Sequence, residues 1–260
     1  MTDFGANPSF FDLVRGMGPE PLRGPAARGG EPPAQLPPHG TTVVALRFDG
    51  GVVMAGDRRA VEGFAIADER MEKVFPADEH SVVGIAGVAS QAIELVRLFQ
   101  TELEHYEKVE GETLSLEGKA NRLAQMIRGS MPLVMQGLVV VPIYGGFDTR
   151  RDEGRIFRYD AIGGRYEEAD YNATGSGARD AKASLKKRWR AGIARQGAIE
   201  VAVESLLDAS EADTATGGPD PVRGIYPSVH LVTAEGVDEV PAEEIRLAFE
   251  AVVARREGSS

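Results

Sequence analysis

The tripeptide Gly40-Thr41-Thr42 closes a Pro/Gly-rich stretch and opens a strongly apolar one. Cleavage between Gly40 and Thr41 would leave a threonine carrying a free amine and a hydroxyl on one residue. In that arrangement the hydroxyl attacks a carbonyl, and the α-amine, with an ordinary pKa of about 7.7–8.0, serves as its base. Taken alone, the tripeptide is simply the start of a strand, which β-branched residues favour. Asp57 and Lys73 change that reading. A lysine beside the Thr41 hydroxyl lowers the cost of forming an alkoxide and helps relay its proton, and an aspartate orients and charge-compensates the lysine. Singly, each is a solvated surface charge; the chemistry needs them side by side.

Later segments offer further polar groups. Gly175-Ser176-Gly177 is on its own a loop with a helix N-cap, and Asp213-Thr214-Ala215-Thr216-Gly217-Gly218 a helix stop followed by turn residues. The first lacks the Gly-Lys-Ser/Thr spacing of a phosphate-binding loop. His39, His80, His105 and His230 show no paired metal-ligand spacing and receive no function, and Trp189 is a packing residue or surface anchor.

With 260 residues the chain suffices for one large domain with a tail. A net charge of -11 argues against non-specific nucleic-acid binding, which needs basic surface against phosphates. The absence of cysteine excludes disulfides, thiolate metal sites and cysteine nucleophiles. The first residues, with Asp3 and the charge-broken patch Phe10–Arg15, do not resemble a signal peptide, and no apolar run is long enough to span a membrane. The expectation is a soluble, cytoplasmic protein.

The elements that must position these residues follow from periodicity. Residues 1–40 hold eight of the fifteen prolines and seven glycines, a leader too poor in apolar residues to offset its ordering entropy. The body, residues 41–260, opens with Thr42–Phe48 and Val52–Asp57 around Asp49-Gly50-Gly51, a strong hairpin signal. With the turn near Gly50, Asp57 is expected beside Val43. Extended segments follow near Phe64–Ala67, Met71–Phe75 and Ser81–Ala86. Helices are expected where Ala92, Val96, Phe99, Leu103 and Tyr106, then Leu116, Ala120, Leu123 and Ile127, recur at helical spacing. Gly137–Phe147 and Arg155–Tyr159 return to strand character. A helix pair over Gly177–Arg190 and Ala198–Ala209, a strand at Val229–Thr233 and a helix from Pro241 complete the chain. Blocks of strands and paired helices, in place of βαβ alternation, predict an α+β fold with antiparallel sheets covered by helix layers.

Together, Gly40-Thr41-Thr42, Gly56-Asp57-Arg58-Arg59, Lys73 and Gly84-Ile85-Ala86-Gly87 resemble the proteasome β-subunit signature, with sixteen residues from Thr41 to Asp57 and from Asp57 to Lys73, as in that family. The Gly175 and Asp213 motifs match its later motifs in order, the resemblance runs from Thr41 to the last helix, and its flavour is actinobacterial. It implies an N-terminal-nucleophile hydrolase, a four-layer α/β/β/α sandwich that removes residues 1–40 by autocatalysis. By resemblance, Thr41 is the nucleophile, Lys73 its pKa-lowering partner, Asp57 the orienting carboxylate and Gly87 the oxyanion donor. Ser176 and Asp213 would support the threonine, with Thr216 where many members have serine. The pocket before the scissile bond would be lined by Ala60, Met71, Phe75, Ile85, Ala89 and Ile93, all apolar, implying chymotrypsin-like preference. The resemblance also implies heptameric rings stacked α-β-β-α, an ATP-driven unfoldase and unfolded protein substrates, with no cofactor or metal. A silent structural subunit, or another N-terminal-threonine amidase, are the rival readings; the Thr41, Asp57 and Lys73 trio speaks against the first, and the spacings and Gly-Ser-Gly motif against the second.

Overall fold

In a computed structural model, residues 40–62 and 65–258 are described. All of the leader except Gly40 lies outside them.

The chain runs β1 (Thr42–Phe48), β2 (Gly51–Gly56), β3 (Ala60–Glu62), β4 (Ala65–Asp68), β5 (Val74–Asp78) and β6 (Ser81–Gly84). Then come α1 (Ala89–Glu110), α2 (Leu116–Gly129), a single turn α3 (Met131–Val134), β7 (Ile143–Asp148), β8 (Glu153–Tyr159), β9 (Arg165–Glu168) and β10 (Tyr171–Gly175). The last elements are α4 (Ala178–Arg188), α5 (Arg195–Ala212), β11 (Ser228–Thr233), β12 (Gly236–Glu239) and α6 (Ala242–Glu257). One antiparallel sheet has the order β10-β1-β2-β11-β12 and the other β5-β6-β7-β8-β9, with β3-β4 a separate ribbon.

Strand alternation sorts the apolar residues into three cores. Val43 and Ala45 of β1, and Val52 and Met54 of β2, face Val74, Val82, Ile143 and Ile156 of the second sheet. Val44, Leu46, Val53 and Ala55 point the other way, onto α4, α5 and α6. Val83, Tyr144 and Phe157 pack outward against α1 and α2. Each sheet is therefore covered on both faces, which is why its central strands are continuously apolar. The result is the expected α/β/β/α stack. Close approach of the sheets requires glycine at Gly84, where a Cβ would stand 2.4 Å from a Val43 methyl.

Two details depart from the sequence expectation. The loop of the first hairpin is Asp49-Gly50 alone, with Phe48 opposite Gly51, so Val43 pairs with Gly56 and not with Asp57. The one-residue slip leaves Asp57 beside Thr42, to whose carbonyl its N–H donates at 3.1 Å. The segment Gly137–Phe147 is not one strand: Gly137 turns with φ +85° after α3, and β7 starts only after Pro142, which has no N–H to give a ladder.

Candidate active site

Four segments distant in sequence converge on the start of β1. Asp57, just past β2, and Lys73, just before β5, are completely buried and ion-paired, with Nζ 2.7 Å from Asp57 Oδ1. Lys73 also donates to the Arg59 carbonyl at 2.5 Å. Asp57 is saturated: Oδ1 takes the Thr42 N–H at 2.7 Å as well, and Oδ2 takes the N–H groups of Arg59 at 3.0 Å and Gly217 at 2.8 Å. An aspartate held by four donors is a fixed anchor for the lysine. Burial is the leading influence on the Lys73 ammonium and pushes its pKa below the ordinary 10.5; Asp57 opposes the shift and Arg59 reinforces it.

On the other flank, Ser176 lies between β10 and α4. Its hydroxyl donates to Asp213 Oδ2 at 2.5 Å and its oxygen receives the Thr41 N–H at 3.4 Å. The segment does supply a helix N-cap, Gly177, which caps without a side chain and whose N–H goes to Thr42 Oγ1 at 3.0 Å. Asp213 does stop α5 as its C-cap, and it also gathers the Thr216 hydroxyl at 2.6 Å and the Ala215 N–H at 3.1 Å. Arg59 ties this loop to the lysine side by donating to the Thr214 carbonyl at 3.0 Å.

Thr41 is buried, and its Oγ1 donates to the Gly40 carbonyl oxygen at 2.7 Å, so the hydroxyl already lies against the bond expected to break. Gly40 itself admits no side chain, since a Cβ there would fall 2.0 Å from the Ala215 Cβ. Gly87 has φ +116°, and a Cβ would meet the Val139 carbonyl at 2.1 Å. It bridges Val140 between the Val88 N–H to Val139 and Val141 N–H to Ala86 bonds, which turns its own N–H away from that partner. A groove of about 540 Å³ is lined by residues that include Gly87, Gly175 and Ser176.

The six residues assigned to the specificity pocket lie on β3 (Ala60), before and in β5 (Met71, Phe75), after β6 (Ile85) and on α1 (Ala89, Ile93). Phe75, Ile85 and Ile93 join the apolar cluster under α1. Ala60, at the start of β3, Met71, bonded through its N–H to the Arg58 carbonyl, and Ala89, at the start of α1, are half-buried and outside that cluster. Sequence reasoning missed the Thr42 hydroxyl and the Arg59 clamp; Thr42 resembled any strand-opening threonine, and Arg59 one more charge after Asp57. Trp189 is a packing residue, its ring tilted 59° against Tyr171 with centroids 5.7 Å apart, and it donates to the Arg47 carbonyl at 2.8 Å.

A four-layer sandwich that presents a threonine at the head of its first strand, beside a buried lysine–aspartate pair, has the architecture of the N-terminal-nucleophile hydrolases. The proteasome subunit family model matches residues 38–222. The chain is 57% identical to a proteasome subunit beta of Acidimicrobium ferrooxidans over 89% of its length and 86% of the relative's. It is 51% identical to the proteasome subunit beta of Stackebrandtia nassauensis over 95% of its length and 90% of the relative's. The chain belongs to the proteasome subunit family.

Proposed function

We propose that this chain is a catalytic β subunit of a bacterial proteasome core particle, a threonine endopeptidase acting on unfolded proteins. One observation supports the reading: Thr41 adjoins Thr42, whose N–H is held by the Lys73–Asp57 pair, and its own nitrogen donates to Ser176, which Asp213 holds, all within one chain. In the uncut chain the Thr41 oxygen attacks the Gly40 carbonyl carbon, the Gly40–Thr41 C–N bond breaks, and the acyl group moves from nitrogen to oxygen. The shift frees the amine, which takes the hydroxyl proton; water then hydrolyses the ester, releasing residues 1–40 with a terminal carboxylate and regenerating the Thr41 hydroxyl. In turnover that amine takes the hydroxyl proton and passes it to the leaving peptide amine, and water cleaves the acyl-enzyme. Protonated Lys73 stabilises the developing alkoxide, and the Gly87 N–H, unspent in its bridge, is the oxyanion donor.

The apolar residues Ala60, Met71, Phe75, Ile85, Ala89 and Ile93 favour large apolar side chains before the scissile bond. Partners follow from the family: an α subunit, further β subunits in heptameric rings stacked α-β-β-α, and an ATP-dependent unfoldase on the α ring, in the cytoplasm. Among the described residues no helix is long and apolar enough to cross a membrane. The test is intact-mass analysis and peptide hydrolysis of the assembled protein. The wild type is expected to begin at Thr41, and Thr41→Ala to keep its leader and lose hydrolysis. Efficient leader loss in Thr41→Ala removes self-processing from Thr41; retained hydrolysis removes the nucleophile.

A further inference from the structure

The hydrogen bonds around Asp213 have only one consistent direction. Asp213 Oδ2 accepts the single proton of the Thr216 hydroxyl at 2.6 Å and that of Ser176 at 2.5 Å. Thr216 therefore has no proton left for its other neighbour, Thr42 Oγ1, 2.7 Å away, and Thr42 must be the donor in that contact. With its own proton spent, Thr42 offers a lone pair to the N–H of Gly177, the N-cap of α4, at 3.0 Å. Ser176, its proton likewise spent on Asp213, offers its lone pair to the Thr41 nitrogen. The chain thus runs from Gly177 through Thr42 and Thr216 into Asp213, and from Thr41 through Ser176 into the same oxygen. Thr42 and Thr216 are completely buried, so water does not compete for either hydroxyl.

We propose that the Thr42 hydroxyl is a positioning residue for catalysis: acting through Thr216 and Asp213, it holds Ser176 as an acceptor for the Thr41 amine. The inference rests on the reading of Thr41 as nucleophile and base. Without the Thr42 hydroxyl, the Thr216 oxygen loses the donor that fixes it from behind, its bond to Asp213 is less firmly oriented, and the buried Gly177 N–H is left unpaired. Thr42 touches no reacting atom through its side chain, so its removal should slow turnover without weakening substrate binding.

The experiment measures kcat and KM on a small fluorogenic peptide, using assembled particles shown by intact mass to begin at Thr41. Thr42→Val is expected to lower kcat about tenfold with KM unchanged, and Thr42→Ser to stay within about twofold of wild type. The Thr42→Val/Thr216→Val pair is expected to match Thr216→Val alone, because both break one chain. Wild-type kcat in Thr42→Val, a change confined to KM, or losses that multiply in the double variant would each overturn the proposal. If Thr42→Val does not assemble, Thr216→Val carries the test one link further on, and unchanged kcat there overturns it equally. Thr41→Ala separates the two readings. Its inactivity beside an unimpaired Thr42→Val removes only the role of Thr42, whereas an active Thr41→Ala removes the proposed function.

Discussion

Lys73 is the residue whose chemistry depends most on where it is held. Its ammonium is completely buried, which costs several kcal/mol unless a partner compensates, and Asp57 is that partner. Two of its three N–H groups are taken by Asp57 and the Arg59 carbonyl. Lys73→Ala is expected to lose most peptide hydrolysis while assembly survives. Lys73→Arg is not expected to restore it, because a planar guanidinium does not have the shape of the compact ammonium held between Asp57 and the Arg59 carbonyl. Near-native turnover in the arginine variant would show that positive charge alone suffices. The depressed pKa has a signed consequence for the proposed role, in which protonated Lys73 is the active form: that form is lost as pH rises through a value below 10.5. In wild type, kcat/KM should therefore fall on the alkaline side before an ordinary lysine titrates; a plateau reaching pH 10.5 would count against the role.

At the scale of elements, the site is a meeting of loop ends. The β1–β2 hairpin brings Asp57 to Thr42, the approach to β5 inserts Lys73, and the 213–218 loop closes over both through Gly217 and Arg59. Gly40 is pressed against that loop, where even a methyl group would collide with Ala215. Gly40→Ala is expected to displace the scissile carbonyl from the Thr41 hydroxyl and slow leader removal by about tenfold or more, since small misplacements of reacting groups are costly. A time course of intact mass during assembly checks this, and processing at the wild-type rate would show that the contact does not position the bond. Once the leader is gone, residue 40 no longer belongs to the body, so turnover per processed site should equal wild type.

Considered as a whole, the chain supplies every group named in the mechanism, from Thr41 to Thr216. Any dependence on partners is then a matter of position and not of missing residues. The isolated β chain is expected to process slowly and hydrolyse poorly until an α chain is added, because packing of neighbours against the leader and active-site loops fixes their arrangement. Mixing purified β with α chain while following leader loss and peptide cleavage over a range of β concentrations tests this. Rapid, complete processing by dilute β alone, with full turnover, would make maturation independent of assembly.

Local patterns in the chain were enough to predict the layers and, through the family resemblance of their spacing, to single out Thr41, Asp57 and Lys73. Apolar runs either side of Asp49-Gly50-Gly51 signalled the β1–β2 hairpin, and helical spacing from Ala92 and Leu116 located α1 and α2, because burial imposes those periods directly. The strands β9, β10 and β12 left no comparable signal: each is a sheet edge, where one side lacks a neighbour and polar residues such as Arg165, Asn172 and Asp238 are tolerated. The hairpin register was open by one residue until the two-residue loop settled it, and a slip of one decides whether Asp57 meets Thr42 or Val43. Thr42 and Thr216 are 174 residues apart, and Asp57 and Gly217 160 apart. No local pattern records such pairs, because their hydrogen bonds exist only when two loops are buried together. The identities of Thr41, Asp57 and Lys73 were thus written in the chain, whereas the direction of every proton between Gly177 and Thr41 was decided by tertiary packing.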